Sequence, residues 1–441
     1  MKSIRIITVL FLFASQCFPQ TGWYQVSSGT NNLLKSVCFA NANTGFAVGD
    51  GVVIKSTNAG ESWSSIPFPN LAMMMRNIYF KNQLTGYILG NHYVIPNTND
   101  SFYTTIFKTT DGGSSWFIDI PRMTNVMMRE MEFLDDNTGY MTGTLYVYGG
   151  PNKVFKTING GANWVQVPFI ETEAALTQKF INSETGFVSS LNKIYKTTNS
   201  GTNWNIVYTN NPSDFNCVHS ISFINSNTGF ACGGMSTITL SPYRFIIKTT
   251  DGGNNWQYVM NDSSNSMLGS ITAVNENNIF ACGSVCFDGP ITGSGKILKS
   301  TNAGVTWIEE TLPLDKALSK VITKNNLGFA VGADGLIYKN GDAVSVTQTG
   351  SSIPSSIKLH QNYPNPFNPS TTINFDIPKQ SFVSLKVFDM TGKEVQNLFE
   401  GVKQAGSYQV KFDGVNLNSG VYFYKLMTDG ASITKSMVLV K

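Results

Sequence analysis

Short apolar segments alternate with polar turns along most of the chain, and one kind of turn recurs. In it, Lys is followed by Ser or Thr, then by Asn or Asp, then by Gly, and finally by Trp. The six copies of this box are residues 55–63, 108–116, 156–164, 196–204, 248–256 and 299–307. Repetition with a period of roughly 40–55 residues indicates a solenoid, a propeller or another array.

A second landmark precedes each box: a Thr-Gly-aromatic triplet, with an apolar residue seven positions before its aromatic residue. Five triplets end at Phe46, Tyr87, Tyr140, Phe187 and Phe230, and looser versions end at Phe280 and Phe329. Each module is therefore predicted to run strand, turn, strand, loop, strand, box turn, strand. This is the pattern of a four-stranded propeller blade, and the seven landmarks predict seven blades.

The seventh module has three strand segments and no box, so its fourth strand has to come from elsewhere in the chain. Residues 22–26, Gly-Trp-Tyr-Gln-Val, are similar to the segments that follow the boxes. We predict that the segment around Trp23 pairs beside Ile337 and closes the ring, which removes exposed sheet edges that promote aggregation. The alternatives are an open array and a ring with another number of blades.

The chemistry of the box explains its residue types. Ser, Thr, Asn and Asp bond nearby backbone amides, Gly adopts conformations that other residues resist, and Trp offers a large apolar face. The pattern resembles the Asp-box, or bacterial neuraminidase repeat. Only Asp111 and Asp251 are Asp, and the residues that replace it are Asn58, Asn159, Asn199 and Asn302. We interpret every box as scaffold and none as a catalytic site.

At the level of the repeats, residues 21–345 resemble the photosystem assembly-factor family of seven-bladed Asp-box propellers. This resemblance implies a platform for protein binding or assembly. It does not imply a role in photosynthesis.

Both ends of the chain differ from the repeats. Lys2 and Arg5 precede an apolar run that is too short to span a bilayer, so residues 1–20 are predicted to be a secretory signal peptide. A segment rich in Ser, Thr and Gly at 346–357 is predicted to be a linker. The remainder, 358–441, has alternating strands and no box, as expected of a small antiparallel β-sandwich.

Three motifs of this last segment carry a second resemblance: YPNPFNPSTTI at 363–373, GVYFYKL at 420–426 and KSMVLVK at 435–441. They resemble the type A sorting domain of the type IX secretion system. The resemblance implies an immunoglobulin-like sandwich, export across the outer membrane of a Bacteroidetes-type bacterium, and then release or attachment at the cell surface. It also makes the type IX machinery the expected partner of this domain.

Composition agrees with an exported all-β protein. Of 441 residues, 41% are hydrophobic and 13% are charged, which allows a large core and a second domain. The net charge of +3 gives no reason to expect nucleic acid as a partner. After the first 20 residues, no segment has the length and apolar character of a transmembrane helix.

The cysteines do not form a recognisable framework. Cys17 falls in the predicted signal peptide, and the five others are an odd number, which argues against a set of disulfides. Cys38, Cys232 and Cys282 are interpreted as thiols of the core. A bridge between Cys282 and Cys286 is left open.

Few residues suggest catalysis. The three His are far apart, and no metal-ligand spacing, phosphate-binding loop or Gly-x-Ser-x-Gly elbow occurs, so we predict no metal site and no cofactor. Sialidases also carry Asp-boxes, but that family's motif around its first Arg is absent here. We therefore predict a protein that is not an enzyme. The alternative that the sequence leaves open is a catalytic carboxylate pair built from distant blades.

Two groups of residues are candidates for ligand binding. The loops between second and third strands are longer in blades two, three, five and six than in blades one and four, and they carry aromatic and basic side chains. The selected loop residues are Tyr93, Tyr103, Tyr146, Tyr148, Tyr243 and Arg244. The competing interpretation is that these side chains pack on one another.

The second group stands four residues before the first-strand landmark in four blades: Lys35, Arg76, Arg129 and His219. This position is predicted to lie near the entrance of the central channel, on the face with long loops, where cations attract a carboxylate or sulfate group. The competing interpretation pairs these charges with neighbours such as Glu130 or Glu132. The Lys that opens each box is expected to cover apolar surface with its stem.

These patterns predict a secreted or cell-surface, non-catalytic binding or scaffold protein, exported by type IX secretion, whose ligand is a protein or a glycan. We expect a monomer. Two alternatives stay open: a glycan-active hydrolase of sialidase-like propeller architecture, and a structural or adhesion component of the cell surface.

Overall fold

The computed structural model describes residues 22–92, 102–144, 152–169, 175–210, 217–235, 243–263, 266–275, 278–285, 292–324, 327–340, 347–350, 353–403, 405–414 and 417–441. These ranges form nine four-stranded sheets and one 3-10 turn, Ala333–Gly335. In the described part of the chain, no helix has the length and apolar character needed to cross a membrane. The predicted signal peptide, 1–20, lies outside the described residues.

Seven of the nine sheets are propeller blades, numbered here by the order of their first strands. The first strands are Leu34–Phe39, Met74–Phe80, Met127–Phe133, Thr177–Phe180, Cys217–Phe223, Ser270–Asn275 and Leu318–Lys324. The second strands are Gly45–Gly49, Gly86–His92, Gly139–Thr144, Gly186–Ser189, Gly229–Met235, Asn278–Val285 and Leu327–Gly332. The third strands are Val52–Ser56, Tyr103–Thr109, Asn152–Thr157, Lys193–Thr197, Tyr243–Thr249, Thr292–Ser300 and Ile337–Asn340. The fourth strands are Ser64–Ser65, Phe117–Thr124, Val165–Val167, Asn205–Thr209, Gln257–Asp262, Ile308–Glu309 and Trp23–Val26.

The first strands form a closed circle around the ring axis, because each contacts the first strands of both neighbouring blades, including blade 7 with blade 1. The last blade is completed by Trp23–Val26, whose antiparallel register pairs Trp23 with Asn340 and Val26 with Ile337. Trp23 is buried and meets the ring of Phe280 edge-on, at 5.7 Å between centroids. The predicted seven blades and the predicted closure by the Trp23 segment are both confirmed.

The boxes hold the turn between third and fourth strands through repeated hydrogen bonds. In blade 2, Asp111 Oδ1 accepts from Thr109 Oγ1 (2.8 Å) and from Ser115 N (2.9 Å). In blade 1, Asn58 Oδ1 accepts the two equivalent bonds at 2.9 and 3.0 Å. Asn therefore holds the same turn as Asp, as predicted.

The Lys that opens each box lies over an aromatic ring of its own blade. In the six blades with a box, and at the equivalent Lys339 of blade 7, its Nζ is 5.2–5.9 Å from the centroid of the second-strand ring directly opposite it. The pairs are Lys55–Phe46, Lys108–Tyr87, Lys156–Tyr140, Lys196–Phe187, Lys248–Phe230, Lys299–Phe280 and Lys339–Phe329. Four of these ammonium groups donate to backbone oxygens in the next box: Lys55 to Gly113 (3.3 Å), Lys196 to Gly252 (2.8 Å), Lys248 to Ala303 (2.8 Å) and Lys339 to Ala59 (3.0 Å). These lysines thus join neighbouring blades in addition to covering apolar surface.

In blades 1, 2, 4, 5 and 7, a box glycine of the next blade packs against the same ring. A Cβ atom at Gly113 would lie 2.2 Å from Phe46, and one at Gly60 would lie 2.4 Å from Phe329. Both glycines have positive φ values, 75° and 79°. Gly is required at this position because it alone satisfies both the turn and the close approach of the ring.

The two remaining sheets form the predicted C-terminal β-sandwich. In pairing order, one sheet contains Thr347–Gly350, Gly406–Asp413, Ser370–Ile377 and Lys358–Leu359, and the other contains Glu394–Lys403, Ser381–Phe388, Gly420–Thr428 and Ala431–Leu439. Alternate apolar residues of both sheets, such as Phe375 and Leu385, are fully buried between them. The strand Thr347–Gly350 lies inside the segment 346–357 that the sequence predicts as a linker, and its Gln348 pairs with Tyr408. The sandwich therefore includes part of that segment.

Replacing Trp23 tests the closure of the ring. Trp23→Ala removes a large side chain from the contact between blades 6 and 7, so we expect a loss of about 3–5 kcal/mol in the free energy of unfolding. All seven Trp precede the sandwich, so tryptophan fluorescence during denaturant unfolding follows the propeller alone. Val165→Ala is the control, because this fourth-strand side chain is 68% exposed, and we expect it to change stability by less than about 0.5 kcal/mol. Equal effects of the two substitutions would contradict closure by Trp23.

The boxes that retain Asp predict a dependence of stability on pH. Hydrogen bonds from Asn255 and Thr249 hold the pKa of Asp251 down at about 2. An Asp with a lowered pKa stabilises the folded state above its unfolded pKa of about 4, and this contribution is lost as the pH falls through the folded pKa. We therefore expect wild type to lose its advantage over Asp251→Asn between pH of about 4 and about 2, measured by thermal unfolding. A difference between the two proteins that stays constant over this range would contradict the pKa assignment.

Candidate functional site

The two faces of the ring carry different turns. In blades 1 to 5, the box turn bonds the turn between the first and second strands of its own blade, for example from Gly112 N to Leu84 O and from Gly252 N to Asn227 O, both at 2.9 Å. Because successive strands are antiparallel, the first strands begin at the opposite face, together with the loops between second and third strands. We call these the box face and the loop face.

The four residues selected at a shared register are all β-bulge residues. The pairing between first and second strands passes over Lys35, Arg76, Arg129 and His219, because the register shifts at these positions. A fifth bulge lies at Ser319 in blade 7. A bulge adds one residue to a strand and changes the direction of its side chain, and bulges are common beside functional sites. All five occur at the loop-face end of the first strands.

The surroundings of these side chains differ. Lys35 pairs with Asp50 at 3.0 Å, and its side chain is only 11% exposed. The charge of Lys35 is therefore balanced, as the competing interpretation expects, but its partner is Asp50 rather than Glu130 or Glu132. Arg76 and Arg129 are half-buried, and His219 is buried.

A cavity of about 550 Å³ lies on the ring axis and is lined by first-strand residues of all seven blades. Its charged lining residues are Glu130, Glu132, Lys179, Lys320 and Lys324. The sequence patterns marked the two carboxylates only as neighbours of the bulge residues, and they did not mark the three lysines. Alternate residues of a strand face the same side. Polar residues at every second position of the first strands are therefore the signal that would have identified the lining of this cavity, which we call the wall.

Polar side chains of the wall accept backbone N–H groups from the first strand of the next blade. These bonds run from Ile78 N to Ser36 Oγ (3.4 Å), from Met131 N to Asn77 Oδ1 (3.2 Å), from Gln178 N to Glu130 Oε2 (3.1 Å) and from Val321 N to Ser270 Oγ (3.2 Å). First strands pair on one side only, so the N–H groups on their inner edge need other partners. The polar wall is therefore partly a requirement of the fold.

Two ion pairs cross the wall. Lys320 of blade 7 reaches Glu130 of blade 3, on the far side of the ring, at 3.3 Å, and Lys179 pairs with Glu132. Burial alone would raise the pKa of Glu130, but Lys320 and the hydrogen bonds from Thr177 and Gln178 outweigh burial, so its pKa lies below the usual value. Glu130 therefore carries a negative charge at neutral pH.

The described loop aromatics pack on neighbouring side chains. The ring of Tyr103 stacks on His92 at 4.8 Å between centroids, and the guanidinium of Arg122 lies 4.4 Å from the centroid of Tyr103. Tyr243 lies 6.4 Å from Phe245 between ring centroids. These contacts agree with the competing interpretation, although Tyr103 and Tyr243 stay half-buried at the surface. The other selected loop aromatics, Tyr93, Tyr146 and Tyr148, lie outside the described residues.

Arg244 is a contact between blades rather than an exposed loop residue. Its residue surface is 8% exposed, and its Nε donates to both carboxylate oxygens of Asp262 at 2.9 and 3.0 Å. Its Nη1 lies 3.6 Å from Glu309 of blade 6. A ligand would therefore compete with two carboxylates for this side chain.

The predicted core thiols occupy two kinds of position. Cys232 and Cys282 are fully buried and free, and burial raises the pKa of both. Cys38 is also free but half-buried, and it lines the axial cavity. Cys286 lies outside the described residues.

Two family models match parts of the chain. Residues 361–441 match the secretion system C-terminal sorting domain, and residues 70–214 match photosynthesis system II assembly factor YCF48. Both resemblances seen in the sequence are thereby confirmed. The sorting domain directs export to the cell surface or the extracellular space. No match was found among curated proteins.

Several solved structures share the fold at low identity. A structure described as YCF48 bound to D1 peptide is 16% identical, with a TM-score of 0.54 over 73% of this chain and 98% of that chain. A GH74 xyloglucanase from Xanthomonas campestris is 9% identical, with a TM-score of 0.56 over 86% of this chain and 63% of that chain. A GH74 enzyme from Niastella koreensis is 12% identical, with a TM-score of 0.55 over 96% of this chain and 75% of that chain. These similarities show a propeller fold that assembly factors and glycoside hydrolases share.

The ion pair between Glu130 and Lys320 generates a prediction about coupling across the ring. Glu130→Gln keeps the hydrogen-bonding shape and removes the charge, so we expect a loss of about 1–3 kcal/mol in unfolding free energy. In a double-mutant cycle with Lys320→Met, the two effects are expected to be non-additive by about 1 kcal/mol or more. Tryptophan fluorescence in denaturant measures all four proteins. Strict additivity would show that the two charges do not stabilise one another.

Proposed function

We propose that the protein is a non-catalytic binding protein of the cell surface or the extracellular space, which binds an acidic segment of another protein at the loop-face entrance of the channel. The observation that carries this proposal is the repeated β-bulge. The same irregularity recurs at the same register in five blades, and in blades 2 and 3 the bulged residue is an arginine.

The two arginines stand on rigid supports. Each follows a pair of methionines, and the second methionine, Met75 or Met128, is completely buried. The bulge turns the next side chain away from the regular strand direction. Arginine presents a planar set of donors that matches a carboxylate, and two arginines on neighbouring blades therefore favour a partner with acidic groups.

One of the similar structures supports a protein segment as the ligand. The YCF48 structure, which this chain matches over 98% of that chain, is described as bound to a peptide. The exported propeller would offer the same kind of platform outside the cell. The similarity concerns the fold, so the residues that contact the partner are proposed from this chain alone.

The charged residues of the channel argue against general acid catalysis. Both channel carboxylates are paired with lysines, and the pKa of Glu130 is lowered. A general acid of a glycosidase needs a raised pKa, so that it still holds a proton at neutral pH. The GH74 enzymes share the fold with this chain, and at 9–12% identity they carry no residue assignment over to it.

Replacing both arginines tests the proposed entrance. The full chain is immobilised, peptides are selected on it from a random displayed library, and the selected sequences are compared with the input. We expect enrichment of acidic peptides, and we expect Arg76→Gln with Arg129→Gln to weaken their binding at least about tenfold, since each lost charge-assisted bond costs about 1.5 kcal/mol or more. Added salt should weaken wild-type binding as well.

Arg122→Gln is the control, because it removes one arginine charge from the loop face beside Tyr103, and it is compared with each single variant, Arg76→Gln and Arg129→Gln, as well as with the double variant. Selection of peptides without acidic residues, or equal losses in the control and the double variant, would contradict the proposal. A panel of glycosides is assayed in parallel. Turnover that disappears in the double variant would support the hydrolase alternative instead.

A further inference from the structure

The two carboxylates of the axial cavity are already engaged by hydrogen-bond donors of the protein itself. Glu130 accepts from Thr177 Oγ1 at 2.6 Å, from Gln178 N at 3.1 Å and from Lys320 Nζ at 3.3 Å. Glu132 accepts from Phe180 N at 3.3 Å and pairs with Lys179.

Hydrogen-bond donors of the cavity, by contrast, remain available to a ligand. Ser36 Oγ accepts from Ile78 N at 3.4 Å, and Ser222 Oγ accepts from Ala273 N at 3.1 Å. Both serines line the cavity, and neither hydroxyl donates a hydrogen bond to the part of the chain that the structure describes. A hydroxyl that accepts a bond keeps its own proton for donation. These two serines can therefore each donate to a ligand.

The cavity also has an uncompensated positive charge. Three lysines and two carboxylates line it. Lys324 is exposed, and no carboxylate of the described ranges lies within ion-pairing distance of its Nζ. Lys320 and Lys324 stand four residues apart on one strand, so they face the same side of it. A concave site with one sign of excess charge concentrates ions of the opposite sign.

We propose that the axial cavity is a binding site for a small anion, such as a dicarboxylate, a sulfate or a phosphate, with Lys324 as its main cationic contact. A surplus of donors and of positive charge is complementary to a group that only accepts hydrogen bonds. The volume of about 550 Å³ is in the range of small-molecule sites. The site does not depend on whether the loop face binds a partner protein.

Anion binding to the full chain is measured by titration calorimetry with sodium sulfate and, separately, with sodium succinate, at constant ionic strength set by sodium chloride. We expect saturable binding of at least one of the two, and the comparison distinguishes a tetrahedral oxyanion from a carboxylate. Lys324→Gln is expected to weaken that binding at least about tenfold, as the loss of one charge-assisted hydrogen bond predicts. Because Lys324 is exposed, the variant should fold like wild type.

Lys379→Gln is the matched control, since it removes the same charge from an exposed position of the sandwich. It should bind the anion as wild type does. No saturable binding of either anion, or equal weakening in Lys324→Gln and Lys379→Gln, would overturn the proposal. Peptide binding by the Arg76 and Arg129 variant is measured in a separate experiment. A negative result for the anion site therefore does not bear on the peptide site, and the reverse also holds.

Discussion

The contact on which the ring depends joins three groups from two blades: an aromatic ring of a second strand, the lysine opposite it, and a glycine of the next box. Phe329 shows the arrangement, with Lys339 Nζ 5.9 Å from its centroid and Gly60 against its edge. The lysine also donates to Ala59 of the same box, so one side chain binds both an aromatic face and a backbone oxygen. Because this contact recurs at five of the seven joints between described blades, the box is at once a turn within one blade and the joint to its neighbour. That double requirement explains why Lys, Gly and the second-strand aromatic repeat together.

The inner wall obeys a different constraint. First strands have no strand on their axial side, so side chains such as Ser36 and Glu130 accept the N–H groups of the next blade. A fold of this kind needs acceptors on its axis, and acceptors that are carboxylates need cations near them. Lys320 and Lys179 meet that need and bring positive charge into the cavity. The groups that can bind a ligand are therefore the donors and charges of the wall that the backbone N–H groups and the ion pairs do not use.

Sequence reasoning succeeded where one residue type has one structural use. The boxes, the seven landmarks and the similarity of Trp23 to the box tryptophans predicted the blades and their closure, because turns and large apolar anchors act locally.

Sequence reasoning was weaker where the position of a side chain depends on neighbours in other blades. Arg244 was selected as a loop residue, but Asp262 of its own blade and Glu309 of the next one surround it. The cavity lysines were not predicted, because Lys179 and Lys320 belong to different blades whose side chains come together only at the ring axis. The shared register of Lys35, Arg76, Arg129 and His219 was visible in the sequence, yet the bulge that explains it is a property of pairing and needs coordinates.

The joining of Trp23 to Asn340 has a consequence for the order of events during synthesis. The two partners are separated by nearly the whole propeller, so the strand made first has no mate until the final blade leaves the ribosome. Until then, the incomplete set of blades in the nascent chain has an unpaired strand edge at each end. The sorting domain follows directly after that final blade. A prematurely terminated product that lacks the last blade thus also lacks the export tag, so incomplete rings are withheld from the cell exterior by their covalent order alone.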